Sequence, residues 1–351
     1  MFRYSFSAAA GPLPPEVAAE VGEACRAWQG RGSVLTLSFV SDEFRALQGG
    51  VESRLRRLLT IPDNYRILFM AGGASAQFAL LPLNLLGGRG AAYVETGHWS
   101  RRALQEGGRY GPVWSATDLD GLDQPGGWRL DDAAYCHLTS NETADGRQFD
   151  AMPELSVPLV ADLTSDFLTR AIDFDRLALV YAGTQKSIGV PGLTLVIVRD
   201  DLLGQAHPAT PRVMDYTAQA AADSRLCTPP VFAIFVLDAM LRWIEGQGGV
   251  AAMALAAERR SRALYAAIEC SGGFYRPAVE GPNRSRINIC FDLADVQESE
   301  TFIAAAAAAG LFDLRGHPEV GGIRASFYNG TSEAALAALL DFMADFRQAH
   351  A

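Results

Sequence analysis

Short apolar runs alternate with amphipathic stretches over the first 230 residues of the chain. Helical periodicity predicts two helices in this region, at 75–86 and 100–110. Continuous apolar runs predict strands at 66–70, 91–95, 133–139, 158–163, 177–182 and 193–199. Strands that are apolar along their whole length are typical of a sheet that helices cover on both faces, and such sheets are mostly parallel. The pattern therefore predicts an α/β fold built on a large, mostly parallel sheet.

The pattern changes after Pro229 and Pro230. From there the chain predicts helices at 232–246, 250–269 and 300–310, strands at 286–293 and 322–328, and a closing helix from about Ser332. The run of alanines within 300–310 is low in complexity, but alanine has the highest helix propensity of all residues. We predict two domains: residues 1–245 form an N-terminal arm and the large domain, and residues 246–351 form a smaller α+β domain.

The composition is that of a soluble globular protein, and it narrows the classes of function. Of the 351 residues, 49% are hydrophobic and 20% are charged, and the formal net charge is −10. No basic stripe is available for nucleic acid. No segment reaches the ~20 apolar residues of a membrane span, and the N-terminal residues lack the apolar segment of a signal peptide. The five scattered cysteines favour reduced thiols in a cytoplasmic protein, and the five histidines are too dispersed to suggest a metal centre.

One lysine and one aspartate follow two of the predicted strands. Lys186 lies just past the strand predicted at 177–182, in a loop punctuated by glycines, and Asp162 lies at the carboxyl end of the strand predicted at 158–163. In open α/β sheets, ligands bind at the carboxyl ends of the strands. A lysine and an acid placed there suit pyridoxal phosphate, because the lysine binds the aldehyde and the acid keeps the pyridine nitrogen protonated. From spacing alone, a surface lysine and a helix-capping aspartate fit the same positions.

Motifs along nearly the whole chain carry a more specific signal. They include "GPLPPEV", "GGASAQFALLPLNLL", "GHWS", "NETADG", "VADLTSDFLTRAID", "YAGTQKSIGVPGLTLVIVRDDLLG", "TPPVFAI", "NRSRINI" and "GHPEVGGIRAS". In this order they resemble the phosphoserine aminotransferase family, class-V aminotransferases of fold type I that depend on pyridoxal phosphate. The resemblance implies a homodimer with active sites at the subunit interface, and an amino acid and a 2-oxo acid as substrates.

The resemblance also implies roles for individual residues. Lys186 matches the lysine that binds the cofactor covalently, and Asp162 matches the partner of its pyridine nitrogen. Trp99 matches the residue that stacks on the cofactor ring, and Thr143 matches the hydroxyl that bonds its phenolic oxygen. The cofactor phosphate is expected to meet Gln185, the backbone amides at Ala74 and Ser75, the Ser75 hydroxyl, and Thr228 of the second subunit.

The chain departs from the family where the side chain of the substrate is recognised. The family's Ser-His-Arg is Ser38, Phe39 and Val40 here, and this segment is expected to reach in from the partner subunit. The family's Gly-Arg is Ala74 and Ser75, and the Arg that follows Gly-His near its C-terminus is Pro318, although His317 is kept. Three arginines are thus absent, whereas Arg324 matches the arginine that binds the substrate α-carboxylate. We interpret the chain as a divergent member with an altered substrate-phosphate site.

These departures predict an aminotransferase whose amino acid carries a neutral or apolar side chain. The first alternative is a genuine phosphoserine aminotransferase, working in serine biosynthesis on 3-phosphohydroxypyruvate and glutamate. Its phosphate would then be bound by other cations, such as Arg101, Arg102 or Arg315. A pyridoxal-phosphate lyase or decarboxylase, or a chain that only binds a partner, is the other alternative. The intact pair Lys186 and Asp162 does not favour it.

Overall fold

The computed structural model describes residues 3–30 and 32–350. The strands are β1 Tyr4–Ser5, β2 Tyr65–Ala71, β3 Gly90–Val94, β4 Val113–Thr117, β5 Ala133–Thr139, β6 Asn141–Glu142, β7 Arg147–Gln148, β8 Leu159–Asp162, β9 Leu177–Gly183, β10 Leu193–Arg199, β11 Tyr275–Pro277, β12 Asn288–Leu293, β13 Leu311–Phe312, β14 Arg315–His317 and β15 Gly321–Ser326. The α-helices are α1 Pro15–Arg26, α2 Asp42–Leu59, α3 Ala74–Leu85, α4 His98–Gly107, α5 Tyr216–Ala221, α6 Val231–Gly246, α7 Gly249–Glu269, α8 Ser299–Ala308 and α9 Glu333–His350.

A seven-stranded sheet with the order β2-β10-β9-β8-β5-β3-β4 forms the centre of the molecule. Neighbouring strands from β9 to β4 are parallel, as the sequence predicts, but β10 is antiparallel to both β2 and β9. The connection from β9 to β10 spans only 184–192, which is too short for the crossover that parallel strands need. β10 is nevertheless buried on both faces, which explains why its apolar pattern matches that of the parallel strands.

Helices cover both faces of this sheet. Alternate residues of β2 point to opposite sides: Ile67 and Phe69 pack in one core, and Leu68 and Met70 pack in another. Helices α2 and α6 contribute to the first core, and α3 and α4 contribute to the second. This is the layered α/β architecture that the continuous apolar runs indicate.

The C-terminal part contains an antiparallel sheet with the order β11-β12-β15-β14, packed against α7, α8 and α9. The start of the chain joins it, because β1 pairs in parallel with β13 and Phe6 lies in the same core. The boundary between residues 245 and 246 stays a prediction. Among the described residues, no helix is long and apolar enough to cross a membrane. No group of three or more His, Cys, Asp or Glu side chains in those ranges is placed to hold a metal ion.

Candidate active site

Lys186 and Asp162 lie at the same edge of the large sheet. Asp162 is the last residue of β8, and Lys186 follows the end of β9 by three residues. Since β8 and β9 are adjacent and parallel, their carboxyl ends meet at one edge. A cavity of about 270 Å³ opens there. Six of the residues singled out by sequence line it: Ala74, Ser75, Trp99, Asp162, Gln185 and Lys186.

The N-terminus of α3 forms one wall of this cavity. Gly73 caps the helix and offers no side-chain acceptor to its first amides, and Ser75 is exposed. Gly72 takes the left-handed conformation, with φ at 112°, and its amide donates to the Gly192 carbonyl. Glycine suits this turn because a side chain is strained there. The free amides of the first helical turn, together with the helix dipole, suit an anion.

Trp99 is fixed by the hairpin that follows β5. Two carboxylates of this hairpin accept the first three amides of α4: Asp145 accepts from His98 at 2.9 Å, and Glu142 accepts from Trp99 and Ser100 at 2.8 Å each. The indole Nε1 of Trp99 donates to Oγ1 of Thr143 at 2.8 Å. This bond leaves the Thr143 hydroxyl proton free to donate elsewhere. Thr143 itself is buried beside the cavity and does not line it.

The charges of Lys186 and Asp162 are coupled. Burial lowers the pKa of the Lys186 ammonium to about 8; the charge of Asp162 opposes this and that of Arg324 adds to it. Burial raises the pKa of Asp162, while hydrogen bonds from Thr164 and the charge of Lys186 lower it. One of these bonds runs from the Thr164 amide to Oδ1 of Asp162 at 2.8 Å. Lys186 is therefore placed to exchange a proton near neutral pH.

The lowered pKa of Lys186 gives a testable pH dependence. At pH 7 about a tenth of Lys186 is neutral, against roughly three in ten thousand for an ordinary lysine. We expect cofactor-free protein to react with pyridoxal phosphate with a midpoint near pH 8, and the midpoint to fall in Asp162→Asn, which lacks the charge that raises this pKa. Borohydride fixes the adduct, and mass spectrometry of the Lys186 peptide measures it without interference, since Lys186 is the only lysine in the chain. A midpoint near pH 10 would contradict the prediction.

Arg324 and His317 lie on the C-terminal side of the site. The Arg324 guanidinium donates from Nη1 to the Thr143 carbonyl at 2.7 Å, whereas its Nε has no partner in the protein. The His317 ring lies 6.3 Å from Trp99 and 4.2 Å from His98, whose Nδ1 is 2.9 Å from the Glu319 carboxylate. Burial lowers the pKa of His317, and the nearby His98 and Arg324 lower it further. Arg324 thus retains a free donor for an anion.

Thr143, Arg324 and His317 stand beside the cavity without lining it, and the three predicted site residues expected from a partner subunit do not line it either. Val40 is 61% exposed, Phe39 is half-buried against the large core, and Thr228 is exposed. None of them lines the cavity that holds Lys186. Their expected place in a partner's site stays a prediction.

The structure adds residues that the sequence did not single out. Ala8 and Ala9 line the cavity, and the Gly11 amide donates to the Gln185 carbonyl at 2.9 Å. A Cβ at Gly11 would lie 1.9 Å from the Lys186 carbonyl oxygen, so only glycine fits against this loop. Glu142 stands next to Thr143, but its contact with the amides of α4 has no local signal in the sequence. Lys186 is the single lysine of the chain, which is a signal in the sequence that points to this loop.

The lining fits pyridoxal phosphate. The α3 N-terminus suits the phosphate, Trp99 presents a flat ring, and Lys186 and Asp162 lie at one sheet edge. Thr139 also lines the cavity, and its buried Oγ1 has no partner in the protein. A buried hydroxyl normally has a hydrogen-bond partner, so this atom indicates room for a polar ligand.

Comparisons with known proteins are consistent with a site for pyridoxal phosphate. The family model "Aminotransferase class-V" matches residues 3–339. The chain is 44% identical to the phosphoserine aminotransferase of Laribacter hongkongensis over 355 residues, which cover 99% of each chain. It superposes on a phosphoserine aminotransferase from Bacillus circulans subsp. alkalophilus with a TM-score of 0.95 and 38% identity, covering 100% of this chain and 99% of the other. A pyridoxal-phosphate-bound phosphoserine aminotransferase from Trichomonas vaginalis gives a TM-score of 0.92 at 33% identity, with 98% and 100% covered. The chain therefore belongs to the class-V aminotransferase family and is a pyridoxal-phosphate-dependent aminotransferase.

Proposed function

We propose that this aminotransferase acts on phosphoserine, moving its amino group to a 2-oxo acid. The observation that carries the proposal is the similarity, at 44% identity over nearly the full length, to relatives named phosphoserine aminotransferase. The departures in the sequence led us to expect a neutral or apolar side chain, and the comparisons favour the phosphoserine alternative instead. Glutamate is the proposed physiological amino donor of the reverse reaction.

The side chains at and beside the cavity suit the proton transfers of such a reaction. Bound pyridoxal phosphate supplies an aldehyde and an electron-accepting ring. The neutral amine of Lys186 would take the proton from the substrate Cα, hold it on Nζ and release it again during the transfer. Asp162 would hold a proton on the pyridine nitrogen, and the indole of Trp99 would cover the ring and exclude water. Arg324 binds the substrate α-carboxylate through its unpaired Nε.

Transamination of a neutral amino acid is the second candidate, and one observation favours it. No cation stands at Val40, Ser75 or Pro318, where the resemblance leads us to expect arginines. A phosphate dianion that loses its water without gaining counter-charges is destabilised, and each missing charge-assisted contact is worth about 1.5–3 kcal/mol. An apolar wall at Phe39 and Val40 would suit an uncharged side chain instead.

A homodimer is part of the proposal. Thr228, Phe39 and Val40 are the residues that the resemblance assigns to the neighbouring subunit, and all three lie outside the cavity of their own chain. Val40 and nearby Leu35 are each 61% exposed, and apolar side chains in such a segment suit a subunit contact. Sedimentation equilibrium should therefore give about twice the chain mass of 37.7 kDa.

The test is kcat/KM for phosphoserine and for a panel of uncharged amino acids. We expect phosphoserine to be preferred, and Phe39→His with Val40→Arg to raise that preference by about ten-fold or more, because both changes add donors for phosphate. Formation of one 2-oxo acid per amino group transferred separates transamination from lyase or decarboxylase chemistry. A wild-type enzyme that prefers an uncharged amino acid would replace the proposal with the second candidate.

A further inference from the structure

A phosphate monoester needs a cation at its binding site, and three arginines are the candidates that the sequence suggests. Arg315 is engaged elsewhere: its guanidinium binds both carboxylate oxygens of Glu300, one of them at 2.7 Å, on the exposed surface. The two remaining candidates, Arg101 and Arg102, are consecutive residues of α4, the helix that carries Trp99.

Arg101 and Arg102 lie on different faces of α4. Consecutive residues of a helix point about 100° apart, whereas residues three positions apart share a face. Arg102 is three positions after Trp99, and its Cζ lies 5.3 Å from the centre of the indole ring. Arg101 is three positions after His98 and lines a separate open cleft of about 790 Å³ beside Asp118 and Arg147. Arg102 is therefore the one that contacts the cofactor-stacking residue.

Arg102 is also a cation without a counter-charge. Within residues 3–30 and 32–350 its guanidinium makes no recorded ion pair or hydrogen bond. The acid one turn further along α4, Glu106, is engaged by Arg109 at 3.6 Å and by the Tyr110 hydroxyl at 3.1 Å. A guanidinium in contact with an aromatic ring keeps its N–H donors available for an anion.

Trp99 links this cation to the active site: Arg102 itself is exposed and does not line the cavity, but its guanidinium contacts an indole that does. Nζ of Lys186 lies 5.7 Å from the centre of the same indole, and the His317 ring lies 6.3 Å from it. A substrate attached near Lys186 would bring an anionic group to Arg102 by extending past the indole towards the exposed surface of α4. The planar fork of the guanidinium matches a phosphate, which accepts two parallel hydrogen bonds from it.

We infer that Arg102 binds the side-chain phosphate of the substrate, in place of the cations absent at Val40, Ser75 and Pro318. The inference rests on the proposed function, because it names the residue that makes a phosphate monoester acceptable to this site. It reconciles the two lines of evidence: similarity to phosphoserine aminotransferases, and a phosphate site without the expected arginines.

The experiment compares Arg102→Ala with Arg101→Ala, a matched control on the same helix that removes the same charge from another face. For the cofactor-loaded enzyme, kcat/KM is measured with phosphoserine and with alanine. Calorimetry measures the Kd of 3-phosphoglycerate, an unreactive ligand with a hydroxyl in place of the amino group, and of glycerate, which lacks the phosphate. We expect Arg102→Ala to weaken both phosphate ligands about 10- to 100-fold and to leave alanine and glycerate within about two-fold. Arg101→Ala should change none of the four, and Arg102→Lys should recover part of the loss.

Each other outcome has a distinct meaning. If the wild type uses phosphoserine and Arg102→Ala leaves its constants unchanged, the inference is wrong and the proposed function stands. If Arg102→Ala weakens alanine and phosphoserine equally, Arg102 acts by supporting Trp99, and the inference is again wrong. If the wild type does not use phosphoserine, the proposed function fails, and calorimetry still decides on Arg102. Equal affinity of wild type and Arg102→Ala for 3-phosphoglycerate would then overturn the inference.

Discussion

Lys186→Ala is expected to abolish covalent attachment of the cofactor and to lower kcat by about 10⁴-fold or more. Lys186 is positioned by β9 beside Asp162, and its lowered pKa supplies a neutral amine near pH 8. Removal of a positioned general base alone typically lowers the rate by about 10²–10⁴-fold, and the variant also loses the covalent link. Because the chain has no other lysine, no second ε-amine can take over the task. Borohydride reduction with peptide mass spectrometry and stopped-flow transamination measure the two effects.

Two controls separate the amine from the charge. Lys186→Arg keeps a cation at the position but supplies no neutral amine at working pH, so we expect it to be as inactive as Lys186→Ala. A small amine such as methylamine, added to Lys186→Ala, should restore part of the proton transfer, because the alanine leaves the space of the missing side chain. Full activity of either variant without added amine would refute the role of Lys186.

Asp162→Asn should lower kcat by about 10²–10⁴-fold while covalent attachment at Lys186 persists. Asparagine has nearly the same shape, and its amide oxygen can still accept the Thr164 amide that bonds Oδ1 at 2.8 Å. What it lacks is the negative charge that keeps a proton on the pyridine nitrogen. Single-turnover amino transfer measures the rate, and the Tm of the cofactor-free protein checks that the fold is intact.

An Asp162→Asn enzyme that turns over at the wild-type rate would show that the pyridine nitrogen needs no charged partner. Asp162→Ala provides a second comparison, since it removes the hydrogen bond to Thr164 as well as the charge. If charge is the cause, both variants should be slow to a similar degree, and only the alanine variant should show a lower Tm.

Much of the large domain could be predicted from hydrophobic pattern alone. β5 and β10 have the bounds 133–139 and 193–199 that their apolar runs predict. The hydrophobic pattern does not indicate the direction of β10, because a strand that is buried on both faces is apolar in either direction. Helix α2 was missed although Val51, Leu55 and Leu59 follow helical spacing and the Ser41 hydroxyl caps its start.

The candidate site was predictable where its residues sit at the ends of strands. Lys186 and Asp162 are such residues, and the sheet brings them together as expected. Contacts that join distant parts of the chain carry no local signal. The approach of Gly11 to the Lys186 carbonyl is one example, and the cation–π contact of Arg102 is decided by which face of α4 it occupies. The proposed contributions of Thr228, Phe39 and Val40 to a partner subunit stay predictions.

Residues near the start of the chain complete the cavity of the site. This has a consequence for the order in which the cavity forms during synthesis on the ribosome. Ala8 and Ala9 line the cavity, but β1 before them is held by β13, and Tyr4 pairs with Leu311. A pairing across so much chain forms late, because its loop must close first. The nascent chain exposes the lysine loop before that pairing exists, so the complete cavity forms only after β13 has been made. A cofactor that needs the complete cavity therefore has to wait until β1 has paired with β13.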